Sequence, residues 1–341
     1  MNFASDNTTI CHPAIMAALT GANENPLMPY GDDDLTARAE ARLCDIFETD
    51  AAVFLVATGT AANALALATM TPSWGTIYCH WSSHVYEDEC GAPEFFADGA
   101  KLLPIKGKDA KLDATDLDYH GGRGHGDVHM TQPKAVTITQ ASELGTLYKV
   151  DEIRAISQVC KKHGLKLHMD GARFANAIAA LDMTPAEMTW KTGVDALSFG
   201  ATKNGAFGVE AVILFDKTKA EEFAFRRKRA GHLFSKMRLL SAQMLTYLEN
   251  DLWLENAAHA NRMAKRLSQG LMAIPGIELD RVAEANMLFP KMPKPMIKGL
   301  LEQGFQFYER WDDGEIRLVT AFNTREEDVD NLIRAAQGLA N

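Results

Sequence analysis

Three side chains within residues 165–207, LKLHMDGARFANAIAALDMTPAEMTWKTGVDALSFGATKNGAF, are of the types that support covalent amine chemistry. Asp170 and Arg173 follow a strand-like piece at 165–169, and Lys203 follows a second at 196–199. Each piece runs at once into a polar or glycine-rich turn. An acid and a lysine are therefore expected just past the ends of two buried strands, where open α/β sheets bind ligands. A lysine that forms a Schiff base, with an acid holding a pyridinium nitrogen, is the basic requirement of pyridoxal phosphate chemistry. Most lysines are solvated point charges. One that sits between glycines, beside Thr202 and Asn204, can lose solvent, lower its pKa and attack a carbonyl. Asp170 at a strand end should be partly buried and so should keep a cationic partner. A pyridinium N–H serves that need, and so does Arg173 in a structural pair.

Other reactive groups stand at element edges. Residues 51–56 read as a short buried strand feeding Thr58-Gly59-Thr60 and the helix ANALALATM, a junction whose free backbone N–H groups suit a phosphate. The same pattern also serves as an ordinary strand–helix junction. The segment HWSSHVYEDECGA places His84, Glu87 and Glu89 near a helix start, where His84 could stack on a planar ring, relay a proton or simply cap the helix. Residues 120–129, HGGRGHGDVH, hold three histidines, enough for zinc in principle. Their glycines and the lack of a carboxylate or cysteine set point to a turn instead, and no metal is expected.

The elements that must position these groups alternate. Strands are expected at 76–79, 101–105, 133–139 and 210–215, with an amphipathic helix at 149–163 and a charged, irregular region after 105. Strand–helix repetition argues for an α/β fold: a mostly parallel mixed sheet with helices on both faces. After Asp216 the character changes. A basic helix at 217–229 shares its last four residues with RRKRAGHLFSKMR, either a solvated face or cations for an anion, if need be across a subunit boundary. Long helices at 239–254 and 256–273 follow. Strands near 277, 287–290, 305–308 and 315–319 and helices at 295–303 and 325–339 complete the chain. The expected division is a large domain over 1–250 and a smaller α+β domain over 251–341.

Composition bounds the partners. The 341 residues are 47% hydrophobic and carry a formal charge of −10, which argues against nucleic acid and anionic membranes. No apolar run is of membrane-spanning length, and the first residues lack a basic leader with an apolar core. Five scattered cysteines, none at CxxC spacing, suggest neither zinc nor disulfides. A cytoplasmic setting is expected.

GTAAN, HVYEDECGA, LHMDGAR, SFGATKNG and EIRLVTAF occur in the order found in low-specificity L-threonine aldolases, and the chain resembles that family over nearly its full length. The resemblance implies pyridoxal phosphate fold type I of the aspartate-aminotransferase superfamily. It implies cleavage of L-threonine, L-allo-threonine or related β-hydroxy amino acids, such as phenylserine, to glycine and an aldehyde. It gives Lys203 the Schiff base, Asp170 the pyridine nitrogen, His84 the ring face, and Gly59 and Thr60 the phosphate. Arg173 and Arg317, with Ser5, would bind the substrate carboxylate. Lys228 or Arg229, and Tyr30, would act across a subunit boundary, which implies a homodimer or homotetramer with shared sites. His84, Glu89 or an ordered water would take the β-hydroxyl proton. One position departs: where relatives carry a histidine in a segment like ENTHNGK, this chain has Glu143, which bears on how the β-hydroxyl is held. A β-eliminating lyase or racemase could use the same apparatus. A nicotinamide oxidoreductase is disfavoured because no G-x-G-x-x-G follows an early strand.

Overall fold

Alternation along the strands decides the architecture of the computed structural model, which describes residues 1–310 and 313–340. The main strands are β1 Ala52–Val56, β2 Gly75–His80, β3 Lys101–Ile105, β4 Gln132–Thr139, β5 Lys166–Gly171, β6 Ala196–Gly200 and β7 Glu210–Leu214. They form one seven-stranded sheet in the order β1-β7-β6-β5-β4-β2-β3. Leu55, Leu167, Met169, Leu197, Phe199 and Ile213 enter one core, together with Leu43, Ile153, Phe174 and Met244 from the covering helices. Their neighbours Val56, Ala196, Val212 and Leu214 face the other way, onto Ala62, Leu65 and Ala66 of the helix Gly59–Met70. Burial on both faces is why these strands are continuously apolar.

Neighbouring strands from β3 through β2, β4 and β5 to β6 are parallel, whereas β7 runs antiparallel between β6 and β1. The chain between β6 and β7, residues 201–209, is too short for the crossover a parallel pair needs. That short connection carries Lys203. Phe199, at the end of β6, is fully buried against the rings of Phe47, Phe174, Tyr247 and Trp253. Truncating a phenylalanine in such a place typically costs about 3–5 kcal/mol, so the floor beneath the lysine turn is rigid.

A second core gathers Met263, Leu267, Leu288, Ile297, Leu300, Ile316, Leu318, Val329 and Leu332. It is built on the strands β8 Met287–Leu288, β9 Tyr308–Glu309 and β10 Ile316–Val319 and the helices Leu252–Met272, Lys294–Glu302 and Glu326–Leu339. Phe3 packs into it, and the Phe3 carbonyl accepts from Val319 N–H at 2.8 Å. The N-terminal segment thereby ends up beside both cores.

Several expected boundaries move. The helix expected over 239–254 is Arg238–Leu248, followed by the turn Glu249–Asp251 and a single helix Leu252–Met272. Asn250 and Asp251 sit at φ 51° and 57°, a left-handed region these two residue types tolerate. The region after 105 is not all irregular: it includes the helix Ala114–Gly121, capped by Asp113, which accepts from Thr115 N–H at 2.7 Å. The strand expected near 277 is an isolated bridge between Glu278 and Lys291, and that expected at 305–308 is the short pair Tyr308–Glu309. In the histidine-rich loop, the Gln132 amide donates to the carbonyls of Gly124, Asp127 and Met130, while His125 Nε2 pairs with the Gly121 carbonyl. Among the described residues no three His, Cys, Asp or Glu side chains converge as metal ligands, and no helix is long and apolar enough to cross a membrane.

Candidate active site

Asp170 lies at the C-terminal end of β5, with Thr139 of β4 and Ser198 of β6 as its flanking partners. It points to the face covered by the helix Gly59–Met70. There Asn63 Nδ2 donates to Asp170 Oδ2 at 2.9 Å, and the Ala172 N–H donates to Oδ1 at 3.0 Å. Asn63 Nδ2 also donates to Glu89 Oε1 at 2.9 Å, and the same Oε1 lies 2.8 Å from His84 Nδ1. His84, Glu89, Asn63 and Asp170 are thus one connected row. Burial pushes the Glu89 carboxyl up, against the hydrogen bonds from His84 and Asn63. The hydrogen bond to Glu89 holds His84 above the usual imidazole range, against its own burial. Asn63 Oδ1 and Glu89 Oε2 are buried without a hydrogen-bond partner among the described residues.

Lys203 stands in the turn Thr202–Asn204 that follows β6. The backbone there is tightly held. A Cβ on Gly200 would come within 2.5 Å of the Ala172 carbonyl oxygen, so β6 can pass the Asp170 turn only with a glycine. Asn204 Nδ2 donates to Tyr247 Oη and to the Trp253 carbonyl, both at 2.8 Å. From the other side Glu210, the first residue of β7, accepts the Ala201 N–H at 2.7 Å. Burial pushes the Glu210 carboxyl up to about 7, although Thr202, the Ala201 N–H and the charge of Lys203 all oppose the rise.

Arg173 is buried, and its partner is not Asp170. Its Nε donates to Asp6 Oδ2 at 2.7 Å and its Nη2 to Asp6 Oδ1 at 2.8 Å, a two-pronged pair that Asn286 Nδ2 supports at 3.0 Å. Burial favours a protonated Asp6, but the charge and hydrogen bonds of Arg173, helped by Lys203, prevail and keep its carboxyl below the usual range. Arg317 is drawn down by burial and by the like charge of Arg173, and its Nε is buried with no hydrogen-bond partner among the described residues. The unsatisfied Arg317 donor suits a carboxylate guest, whereas two nitrogens of Arg173 are already taken by Asp6.

Several of these groups, though not Asp6, Glu89 or Arg317, line a cavity of about 260 Å³. Gly59, Thr60, His84, Glu143, Asp170, Arg173 and Lys203 line it, along with Asn63, Thr202 and Glu210. Along one wall the helix Gly59–Met70 begins, with the Thr58 hydroxyl accepting from Ala61 N–H at 3.2 Å. First-turn N–H groups have no partner within a helix, and the space beside Gly59 is open, with no atom within 4 Å of a would-be Cβ. An anion fits there. An amine, a carboxylate braced at both oxygens, an anion cradle and an imidazole around one cavity match the polar needs of pyridoxal phosphate: aldehyde, ring nitrogen, phosphate and ring face.

Of the remaining residues singled out in the sequence, Glu89 sits behind His84, and Arg317 does not line the cavity. Ser5 Oγ lies 3.5 Å from Asp6 Oδ1. Tyr30, Lys228 and Arg229 are exposed and do not line the cavity; Lys228 Nζ lies 4.8 Å from the centre of the Tyr30 ring. Three residues escaped the sequence reading. Asn63 could have been found, since it falls one helical turn after Gly59 in GTAAN and faces the same way. Glu210 had a weak signal as the charged residue opening the apolar run EAVILF. Asp6 had none.

The chain is similar to known proteins over nearly its whole length. A family model described as beta-eliminating lyase matches residues 2–293. The low specificity L-threonine aldolase of Pseudomonas sp. strain NCIMB 10558 is 46% identical over 330 residues, covering 97% of this chain and 95% of that one. The protein of the same name from Pseudomonas aeruginosa is 45% identical over 97% of this chain and 96% of its own. Among solved structures, a threonine aldolase of Leishmania major matches with a TM-score of 0.92 and 32% identity, covering 100% of this chain and 99% of that one.

Proposed function

The chain belongs to the beta-eliminating lyase family, and from that premise we propose that it is a low-specificity L-threonine aldolase, a pyridoxal 5'-phosphate-dependent carbon–carbon lyase. Its substrates are L-threonine, L-allo-threonine and related β-hydroxy-α-amino acids, phenylserine among them, and its products are glycine and an aldehyde. The observation that carries this reading is the convergence on a single cavity of Lys203, Asp170 and His84, the last held from behind by Glu89.

Pyridoxal phosphate, when bound, supplies the electron sink for the pair released as Cα–Cβ breaks. Lys203 would hold its aldehyde carbon, Asp170 its ring nitrogen, Gly59 and Thr60 its phosphate, and His84 its ring face. Arg173 and Arg317, with Ser5, take the substrate carboxylate and fix the orientation of the Cα–Cβ bond. Glu89 accepts from His84 Nδ1, which leaves Nε2 open to receive the β-hydroxyl proton. Glu143 lines the cavity where relatives are expected to carry a histidine and governs how that hydroxyl is held. Lys228 or Arg229, together with Tyr30, completes the phosphate and substrate sites of a second copy.

The enzyme is on this reading a homodimer or homotetramer of the cytoplasm. An apolar cavity of about 610 Å³ beside the exposed Phe207 and Phe234, near Met16 and Leu239, supports an association face, and the five free cysteines suit a reducing compartment. The test is product analysis with L-threonine, L-allo-threonine and phenylserine alongside their D-isomers. Glycine and an aldehyde in equal amounts are expected from the L-forms. Ammonia and a keto acid would assign β-elimination instead.

A further inference from the structure

Asp6 has no role in the reading above, yet it holds one of the two arginines on which that reading depends. It opens the short turn Asp6–Thr8 and is 1% exposed. Arg173, 6% exposed, gives it the Nε–Nη2 edge at 2.7 and 2.8 Å. A guanidinium carries five N–H groups in one rigid plane. With one edge on Asp6, Nη1 and the second hydrogen of Nη2 form a second fork that fits another carboxylate. Arg173 and Asn7 line the cavity and Asp6 does not, so the Asp6 carboxylate stands behind the guanidinium rather than in the place of a guest. Asp6 is itself held. Asn286 Nδ2 donates to Asp6 Oδ2 at 3.0 Å and to the Thr320 carbonyl at 2.8 Å, and the Phe3 carbonyl accepts from Val319 N–H at 2.8 Å. Val319 ends β10, the strand that carries Arg317, and Thr320 follows it. Asp6 therefore ties Arg173, two residues past the end of β5, to the strand that bears the second arginine.

Resting on the assignment of Arg173 and Arg317 to the substrate carboxylate, we infer that Asp6 is a positioning residue for Arg173, which presents the second fork of that guanidinium to the substrate carboxylate and keeps it in register with Arg317. Two effects of Asp6 oppose each other. Its charge weakens the pull of Arg173 on an incoming anion. Its two-point grip fixes the guanidinium plane before the anion arrives, which removes the cost of ordering that side chain on binding. The grip prevails, because Arg173 cannot turn without leaving a buried carboxylate unpaired.

The test titrates wild-type and Asp6→Asn holoenzyme with glycine and with glycinamide, its analogue without a carboxylate. The readout is the visible cofactor band rather than turnover. Asp6→Asn keeps the size of the side chain but can accept only one of the two prongs. Its Kd for glycine should rise about tenfold, the worth of one charge-assisted hydrogen bond, while its Kd for glycinamide stays within about twofold of the wild type. A fall in the glycine Kd overturns the inference and makes Asp6 a competitor for the guest's place. An equal rise for both ligands also overturns it, because packing alone would then explain the loss, and so does an unchanged glycine Kd. If Asp6→Asn gives no folded holoenzyme, Asn286→Ala removes the amide at Asp6 Oδ2 and leaves the ion pair. The glycine Kd must then rise relative to that of glycinamide, and an unchanged ratio overturns the inference. Wild-type protein that takes up no pyridoxal phosphate, or whose band ignores glycine, would sink the functional reading instead, so the two failures are distinct.

Discussion

His84 is the residue whose charge state a single substitution can move. The hydrogen bond to Glu89 raises it above 6.5, burial opposes the rise, and the charges of Asp170, Glu89 and Glu143 add to it. The base form therefore appears only as pH rises through that elevated value, and kcat/KM should fall away on an acid limb centred above 6.5. Glu89→Gln removes the supporting charge and should move the limb about one pH unit toward acid, read from aldehyde release across pH 5 to 9. An unmoved limb would show that another group takes the hydroxyl proton. At Lys203 the expectation is starker: Lys203→Ala should lose both turnover and the borohydride-trapped cofactor, and retained full activity would refute the assignment. Lys203 and Asp170 were legible in the sequence because strand end and residue type are both local. Asp6 was not, because it meets Arg173 across 167 positions and nothing in SDNTT marks it.

At the scale of elements, the helix Gly59–Met70 does two jobs. Its first turn faces the anion cradle, and one turn later Asn63 holds Glu89 and Asp170 with a single amide nitrogen. Asn63→Ala leaves two buried carboxylates short of a donor. Hydrogen bonds to charged groups are worth roughly 1.5–3 kcal/mol each, so the apoenzyme should lose about 3 kcal/mol of stability by urea unfolding. A loss under about 0.5 kcal/mol would mean that water replaces the amide at no cost. The parallel part of the sheet was readable from strand–helix repetition. The reversed direction of β7 was not, since an apolar run such as EAVILF looks alike both ways. Only the short 201–209 connection carries that information. The break at Asn250 and Asp251 was hidden for a related reason: the apolar spacing of the flanking helices continues through it.

Across the whole molecule the exposed cations Lys228 and Arg229 are assigned, on the proposed function, to the site of a second copy. Lys228 and Arg229 do not line the cavity of their own chain, and the sequence resemblance implies that one or the other reaches the phosphate of a neighbouring subunit. On the proposed oligomer a second copy brings them in, and Phe207, 70% exposed at the apolar cavity that includes Phe234, is offered as part of the association face. This arrangement predicts complementation between two dead proteins. Lys203→Ala destroys the site in its own subunit, and a chain carrying both Lys228→Ala and Arg229→Ala destroys the site of its neighbour. In a two-fold dimer the hybrid then has one site with both lesions and one with neither. Random mixing makes half the dimers hybrid, so about a quarter of all sites are intact. Co-expressed chains should therefore recover about a quarter of wild-type turnover, while each homodimer stays inactive. If the cations served their own subunit, every hybrid site would carry one lesion and no activity would return.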